Sequence, residues 1–514
     1  MSEVKKDIKT AAKYSIIITI ILVISKMTGF LREFIVAIQL GATRESDIFK
    51  IASTMPQVFF SAVAAALVTT FIPIFSNVKS NKDEANKLFN NVLNIITILC
   101  VILTVIGIIV SPQLVKLFAG GIKGQDFLLT VDMTRIMMPS IIFLAVSGLY
   151  TGYLQSYGKF IQPSLTGIVA NVVIIIGLIV FYKYYGITAA IISVFAGAIA
   201  QALTQRPFMG NDYKYKFYID IKDPNVRKML ALAIPILISS AVSQINIMVS
   251  KNFASNLVPG SISVIDYASK FSTIINQVFI VAITTVLYPK LTEKYAIEDH
   301  KGFRELFVKS VNMVVLVTIP LIFGLVALSE PVIKVVLEHG KFDSNATKVT
   351  SLCLKYLAFS AFGYSLMDIL GKVFFAMKNT FVPMINGFIL VVVNILFVII
   401  LAPVMGVNGI ALATTLSVTI LALILFIELK ARIKEVSYLK IFINFIKMAA
   451  SGLVMYEAVV LAYNMLYKLM PQGNLFIVSN IIICTIIGAF IYVIMLIILR
   501  VEEIKGLLKN KKLK

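Results

Sequence analysis

Between residues 25 and 39 the chain reads SKMTGFLREFIVAIQ, a run in which Lys26, Arg32 and Glu33 interrupt otherwise apolar sequence. At 100° per residue a helix gathers Ser25, Lys26, Thr28, Gly29, Arg32, Glu33 and Gln39 into one arc of roughly 160°, with Met27, Phe30, Leu31, Phe34, Ile35 and Ile38 opposite. Only Val36 and Ala37 interrupt the polar arc. Each charge left in hydrocarbon costs several kcal/mol, so such a face must turn toward a wet cavity or a partner. A surplus of Lys and Arg over carboxylate suits a phosphate or pyrophosphate, which Arg grips bidentately and Lys meets as a compact charge. Gly29 allows a headgroup or another helix to approach. Glu33 is a candidate gating or coupling group, or a neutraliser of its neighbours.

Further along, Asp47 and Lys50 open the next apolar segment. Asp47 reads either as a carboxylate favoured at a helix start or as a gating group. Asp266, Lys270, Thr273 and Gln277 share a helical face, and a similar stripe holds Gln244, Ser250 and Lys251 with Asn246 nearby. Lys251 and Lys270 are therefore candidate partners of Lys26 and Arg32 across a central cavity. Arg135, Lys355, Asp368 and Lys372 sit toward segment ends, where long side chains can snorkel. Glu457 stands alone in an apolar stretch. No GxxxxGK[ST] motif is present, and no acid/base or metal-ligand cluster gathers on one face, so catalysis and ATP hydrolysis are not expected. His300 and His339 are far apart, and Cys100, Cys353 and Cys484 lie in apolar runs as small core residues, so neither a metal site nor a cofactor is expected.

The elements that must carry these residues are membrane helices. The chain is 59% hydrophobic and 14% charged with mean hydropathy +0.92, against a charged fraction of about 25% in soluble domains. Windows of about 20 apolar residues mark fourteen spans, at 12–40, 48–76, 90–111, 130–156, 162–182, 186–205, 229–254, 264–289, 307–328, 347–374, 381–403, 407–429, 440–467 and 475–499. No short, cleavable-looking signal precedes the first. The expected fold is an all-α polytopic membrane protein.

The net charge of +21 alternates by loop rather than forming a nucleic-acid patch. Basic residues crowd the segments with Lys5, Lys6 and Lys9, with Lys79, Lys82 and Lys87, at 206–228, at 290–309, at 430–434 and at 500–514; the intervening loops are poorer. By the positive-inside rule both termini are cytoplasmic. No loop is long enough for a catalytic domain.

Sliding the chain against itself by about 219 residues brings 112–121 onto 331–340. Pro163, Gly167 and Gly186 then meet Pro383, Gly387 and Gly406 one residue further on. These anchors predict two pseudo-symmetric lobes of six helices each, 1–206 and 229–430, joined by a cytoplasmic linker at 207–228. Two further helices and a basic tail follow at 431–514. Six being even, the lobes enter the membrane in the same orientation.

At KMTGFLREFIVAIQLGATRESDIFKIASTMP the chain resembles the MviN/MurJ family of lipid II flippases, within the MOP exporter superfamily that also holds MATE exporters. The similarity continues through VSQINIMVSKNFASNLVPGSISVIDYASKF, LYPKLT and EHGKFD. The resemblance implies transport of undecaprenyl-pyrophosphate-linked disaccharide-pentapeptide by alternating access in the bacterial cytoplasmic membrane, with lipid II and the bilayer as partners and cell-wall synthesis proteins as further ones. It implies that Lys26, Arg32 and Lys270 hold the pyrophosphate, with Ser25 and Gly29 matching the family motif as further candidate substrate-site residues, Asp47 at the start of the second span and a tail groove on the last two helices. The chain departs from the family at Met55–Ser61, which reads MPQVFFS without the usual Arg pair, and at Ala62–Ala66, where an acidic residue is missing. Lys251 is the candidate replacement for the missing Arg. Competing readings are another polyprenyl-linked oligosaccharide as cargo, a MATE-like cation-coupled exporter, and a non-transporting cell-wall scaffold. The drive is the membrane potential, protonation of Glu33, or a cation near Asn246, Asn386 and Asn394.

Overall fold

The computed structural model describes residues 2–210, 213–469 and 473–503, without the side chains of 2–16, 59–69 and several residues between 235 and 243. The side chains of Lys5, Lys6, Lys9, Phe59, Phe60, Ser61 and 62–66, and most of the basic tail, lie outside the described residues. Among those described, every regular element is helical. In chain order they are α1 (Ser2–Leu40), α2 (Arg44–Val78), α3 (Lys82–Ile109), α4 (Ser111–Phe118), α5 (Gly124–Met137), α6 (Ser140–Ser156), α7 (Ile161–Gln205), α8 (Pro224–Ser255) and α9 (Ser261–Ile274). A π turn (Ile275–Ile280) leads into α10 (Val281–Ala296), followed by α11 (His300–Ala327), α12 (Ser329–Leu337), α13 (Ser344–Ala358), α14 (Ser360–Ala376), α15 (Phe381–Met405), α16 (Val407–Arg432), α17 (Tyr438–Leu469) and α18 (Asn474–Ile498). Ten candidate membrane spans are long and apolar enough among the described residues, some of them made of two consecutive helices.

Several helices begin earlier than their apolar windows because the starting signal sits in polar flanking sequence. Asn81 accepts from the backbone N–H of Asp83 and Glu84 to start α3, Asp223 does the same for Asn225 and Val226 at α8, and Asp299 accepts from Gly302 at α11. The windows at 130–156 and 347–374 are each two helices, α5 with α6 and α13 with α14. Pro139, which cannot donate a backbone hydrogen bond, stands at the first break. The spans at 162–182 and 186–205 are two helical stretches of α7 that meet at Gly186, whose backbone is not helical.

Paired elements recur along the chain. α3 and α11 are both 28 residues, α6 and α14 both 17, and α5 and α13 are 14 and 15. Gly186 has φ 54°, ψ −137° and Gly406 has φ 58°, ψ −133°, a conformation that glycine enters without the Cβ penalty. The short helices α4 and α12 occupy equivalent places.

By packing, the chain divides into two compact units, Met1–Ile262 and Ser263–Lys514. In the first, Phe71, Phe75, Phe89, Tyr153 and Tyr213 form an aromatic cluster with centroid spacings from 4.8 to 6.3 Å. The second has a core running from Phe303, Phe307 and Val311 of α11 through Ile369 and Phe374 of α14 to Met448, Met455 and Cys484 of the last two helices.

Candidate functional site

The charged stretch of α1 lies against α7 and α2 inside the first unit. Asn171, a polar residue in the apolar first half of α7, donates to the Ser25 carbonyl at 3.3 Å and to Thr28 Oγ1 at 3.1 Å. It also accepts from Arg32 Nη1 at 3.1 Å. Small residues permit this approach: a Cβ on Gly167 would stand 2.5 Å from Ser25 Oγ, and one on Gly29 would stand 3.4 Å from Asn171 Nδ2.

Glu33 is shared. Arg32 Nη2 reaches its Oε1 at 2.7 Å, and Lys50 Nζ, from α2, reaches Oε2 at 2.6 Å. The Lys50 side chain is 7% exposed and that of Arg32 31%, so the lysine is enclosed while the guanidinium keeps an open flank. Lys26 is exposed. The polar arc is not one continuous wet face, since Val36 and Ala37 are fully buried; Met27 and Leu31 are exposed on the other side.

Lys251 extends the group from α8, donating to Thr54 Oγ1 at 2.6 Å and to the Lys50 carbonyl at 3.2 Å. Its contacts fall on the turn of α2 before Pro56, where the chain departs from the resembling family's pattern. Asp47 does not cap α2, a role taken by Thr43, whose side chain accepts from Ser46 N–H. Asp47 is instead 1% exposed and accepts from the Gly260 backbone N–H at 2.7 Å, with Arg44 at 3.8 Å. Nearby, Tyr182 donates to Glu45 at 3.0 Å.

Lys270 belongs to the second unit, exposed at the end of α9 one turn before the π turn that contains Gln277. Single π turns inside α-helices often mark functional places. Also in the second unit, Asn386 donates to Glu428 at 3.1 Å, and the carbonyl oxygens of the buried Asn386 and Asn394 accept no hydrogen bond. Arg135 pairs locally with Ser111 and Asp132, and Lys372 lies over the Tyr288 ring. Glu457 is exposed on α17. Among the described residues no group of three His, Cys, Asp or Glu side chains is arranged to hold a metal ion.

Asn171, Thr54 and the site role of Lys50 are what sequence reasoning missed. Asn171 had a signal, a lone amide in an apolar span; Lys50 was visible at the start of α2, but its partner was not.

The model of the family described as lipid II flippase MurJ matches residues 36–497. The chain belongs to the lipid II flippase MurJ family. Among similar proteins, the probable lipid II flippase MurJ of Thermotoga maritima is 27% identical over 489 residues, covering 95% of this chain and 96% of that protein. The Rickettsia prowazekii protein of the same description is 27% identical over 417 residues, covering 79% and 82%. A solved structure of lipid II flippase MurJ in an inward closed conformation is 27% identical, with TM-score 0.81 over 94% of this chain and 99% of that one. An inward-facing MATE multidrug transporter of the MOP superfamily, 14% identical, shares the fold with TM-score 0.66 over 80% and 98%. The MurJ match begins after Lys26, Arg32 and Glu33, so these three rest on their own geometry.

Proposed function

We propose that this chain moves lipid II between the leaflets of the bacterial cytoplasmic membrane by alternating access, holding the pyrophosphate with Lys26, Arg32, Lys251 and Lys270. Ser25 and Gly29 shape its seat. The observation that carries the reading is the sharing of Glu33 between Arg32 and Lys50, with Lys251 reaching from α8 to the adjoining turn of α2. Lysines and an arginine outnumber carboxylate there, inside helices that cross lipid. Without cargo, Glu33 limits repulsion among the cations; an arriving pyrophosphate offers Arg32 and its neighbours a better partner on their open side. Glu33 and Asp47 act as gating or coupling groups, Asp47 through its hold on the Gly260 backbone. A cation exporter needs free carboxylate in its cavity, and Glu33 is already claimed by two cations.

The architecture proposed with it has fourteen spans. Two six-helix lobes at 1–206 and 229–430 join through the linker 207–228, and α17 and α18 serve the lipid tail. The equal lengths of paired elements and the matched glycine kinks support the repeat. The loop charges support cytoplasmic termini. The protein is a carrier and not a catalyst, and cell-wall synthesis proteins are its expected protein partners.

The test is rescue of cells depleted of their own lipid II flippase, following outward exposure of lipid II. Wild type is expected to rescue. Lys26→Ala, Arg32→Ala and Lys270→Ala are expected to insert but fail, and Lys251→Ala to fail with them if it supplies the missing second-span charge. Failure of well-inserted wild type would assign another cargo, while rescue by every variant would overturn the basic site.

A further inference from the structure

The segment 213–222, YKYKFYIDIK, interleaves basic residues with aromatic and aliphatic ones. It has no regular secondary structure from 213 to 220, and it crosses α3 on three buried asparagines. Asn90 donates to the Lys214 carbonyl at 2.8 Å. Asn94 donates to those of Lys216 and Tyr218 at 3.3 and 3.1 Å. Asn91 exchanges two bonds with Asp220, donating to its carbonyl at 2.9 Å and accepting from its N–H at 2.7 Å. Tyr213 and Tyr215 donate their hydroxyls to Asn90 and Asn94. Side-chain amides thus replace a neighbouring strand, taking every second carbonyl from 214 to 220. Arg206 stacks on the Tyr213 ring at 4.7 Å and Lys87 on that of Tyr218 at 5.1 Å.

Depth follows from α3. Beyond Asn94 its apolar run at 95–109 rises about 22 Å at 1.5 Å per residue, most of the about 30 Å of a hydrocarbon core. Asn90, Asn91 and Asn94 therefore lie at one edge of that core. A chain crossing there must satisfy its backbone groups within the protein, which is what the asparagines do.

What the clamped segment leaves outward is both greasy and basic. Phe217 is 72% exposed, Ile221 60%, Tyr215 55% and Ile219 40%, with Lys214, Lys216 and Lys222 exposed between them. Aromatic rings at headgroup level with lysines beside them match a membrane boundary, and the lysines match an anionic one. We infer that 213–222 is a fixed docking strip for anionic phospholipid, its rings and aliphatic chains entering the headgroup boundary and its three lysines holding lipid phosphates. The strip is separate from the Glu33 cluster and does not depend on which cargo that cluster carries.

The chain contains no tryptophan, so Phe217→Trp in the full-length protein is a single reporter. Reconstituted in vesicles of phosphatidylcholine with phosphatidylglycerol, it should emit at shorter wavelength than in phosphatidylcholine alone and be quenched by lipids brominated near the headgroup. Adding Lys214→Gln, Lys216→Gln and Lys222→Gln should abolish the difference between the two vesicles. Ile221→Trp, read in the same way, guards against a local disturbance at 217. Water-like emission from both reporters, quenched by aqueous iodide in either vesicle, would overturn the inference and leave the strip to a soluble protein. Burial that is equal in both vesicles would overturn its anionic selectivity.

Discussion

Glu33 holds the candidate site in balance. Two cations close on one carboxylate, and Lys50 is almost fully enclosed when it does so. Removing one member of a buried ion pair typically costs about 3–5 kcal/mol, because the remaining charge stays desolvated. Glu33→Gln should therefore lower the melting temperature of the purified protein, and adding Lys50→Met should recover most of the loss; no recovery would mean that Lys50 does not depend on Glu33. The face of α1 could be drawn from helical phase alone, since Ser25, Lys26, Thr28, Gly29, Arg32 and Glu33 lie on one arc. Its partners could not. Asn171 is 139 residues from Arg32 and Lys50 17 from Glu33, and periodicity within one helix says nothing about which other helix will meet it.

Helix ends and kinks were legible wherever one residue type dominates the local energetics, as with the glycines at 186 and 406. The turn between α8 and α9 was not, because its constraint comes from a distant segment. Gly260 has φ 92°, and a Cβ there would stand 2.0 Å from the Ala42 carbonyl oxygen. Gly260→Ala should destabilise the protein by at least about 1–3 kcal/mol, the cost of a strained backbone position, seen as a lower melting temperature. Gly387→Ala, where a Cβ meets nothing within 4 Å, should be neutral or stabilising in its helix. Asp299 offers a test by pH at the start of α11. Its carboxyl is held below the usual range, first by the hydrogen bond from Lys294 and then by the Gly302 N–H. A lowered folded value means that its contribution is present above the ordinary carboxylate value of about 3.9 and fades as pH falls through the folded one. Wild type should thus melt above Asp299→Asn near neutral pH, with the gap closing in acid; a gap independent of pH would show that the charge of Asp299 contributes nothing.

For the whole molecule, an all-helical membrane fold reflects what hydrocarbon demands of any sequence, so it was readable without knowing a contact. The division by packing between Ile262 and Ser263 was not, for it depends on α8 lying along α2, where Lys251 meets Thr54. The membrane potential bears on the drive. An inside-negative potential favours outward movement of each negative charge by about 2.3 kcal/mol per 100 mV, and a pyrophosphate headgroup carries more than one such charge. The cations proposed to hold it return with the empty carrier, so over a full cycle only the charge of the cargo contributes to the drive. Collapsing the potential with valinomycin and potassium should then halt outward exposure of lipid II, while nigericin, which removes the pH gradient and spares the potential, should leave it largely intact. The opposite pattern would assign the drive to protonation, with Glu33 as the group to replace by Gln next.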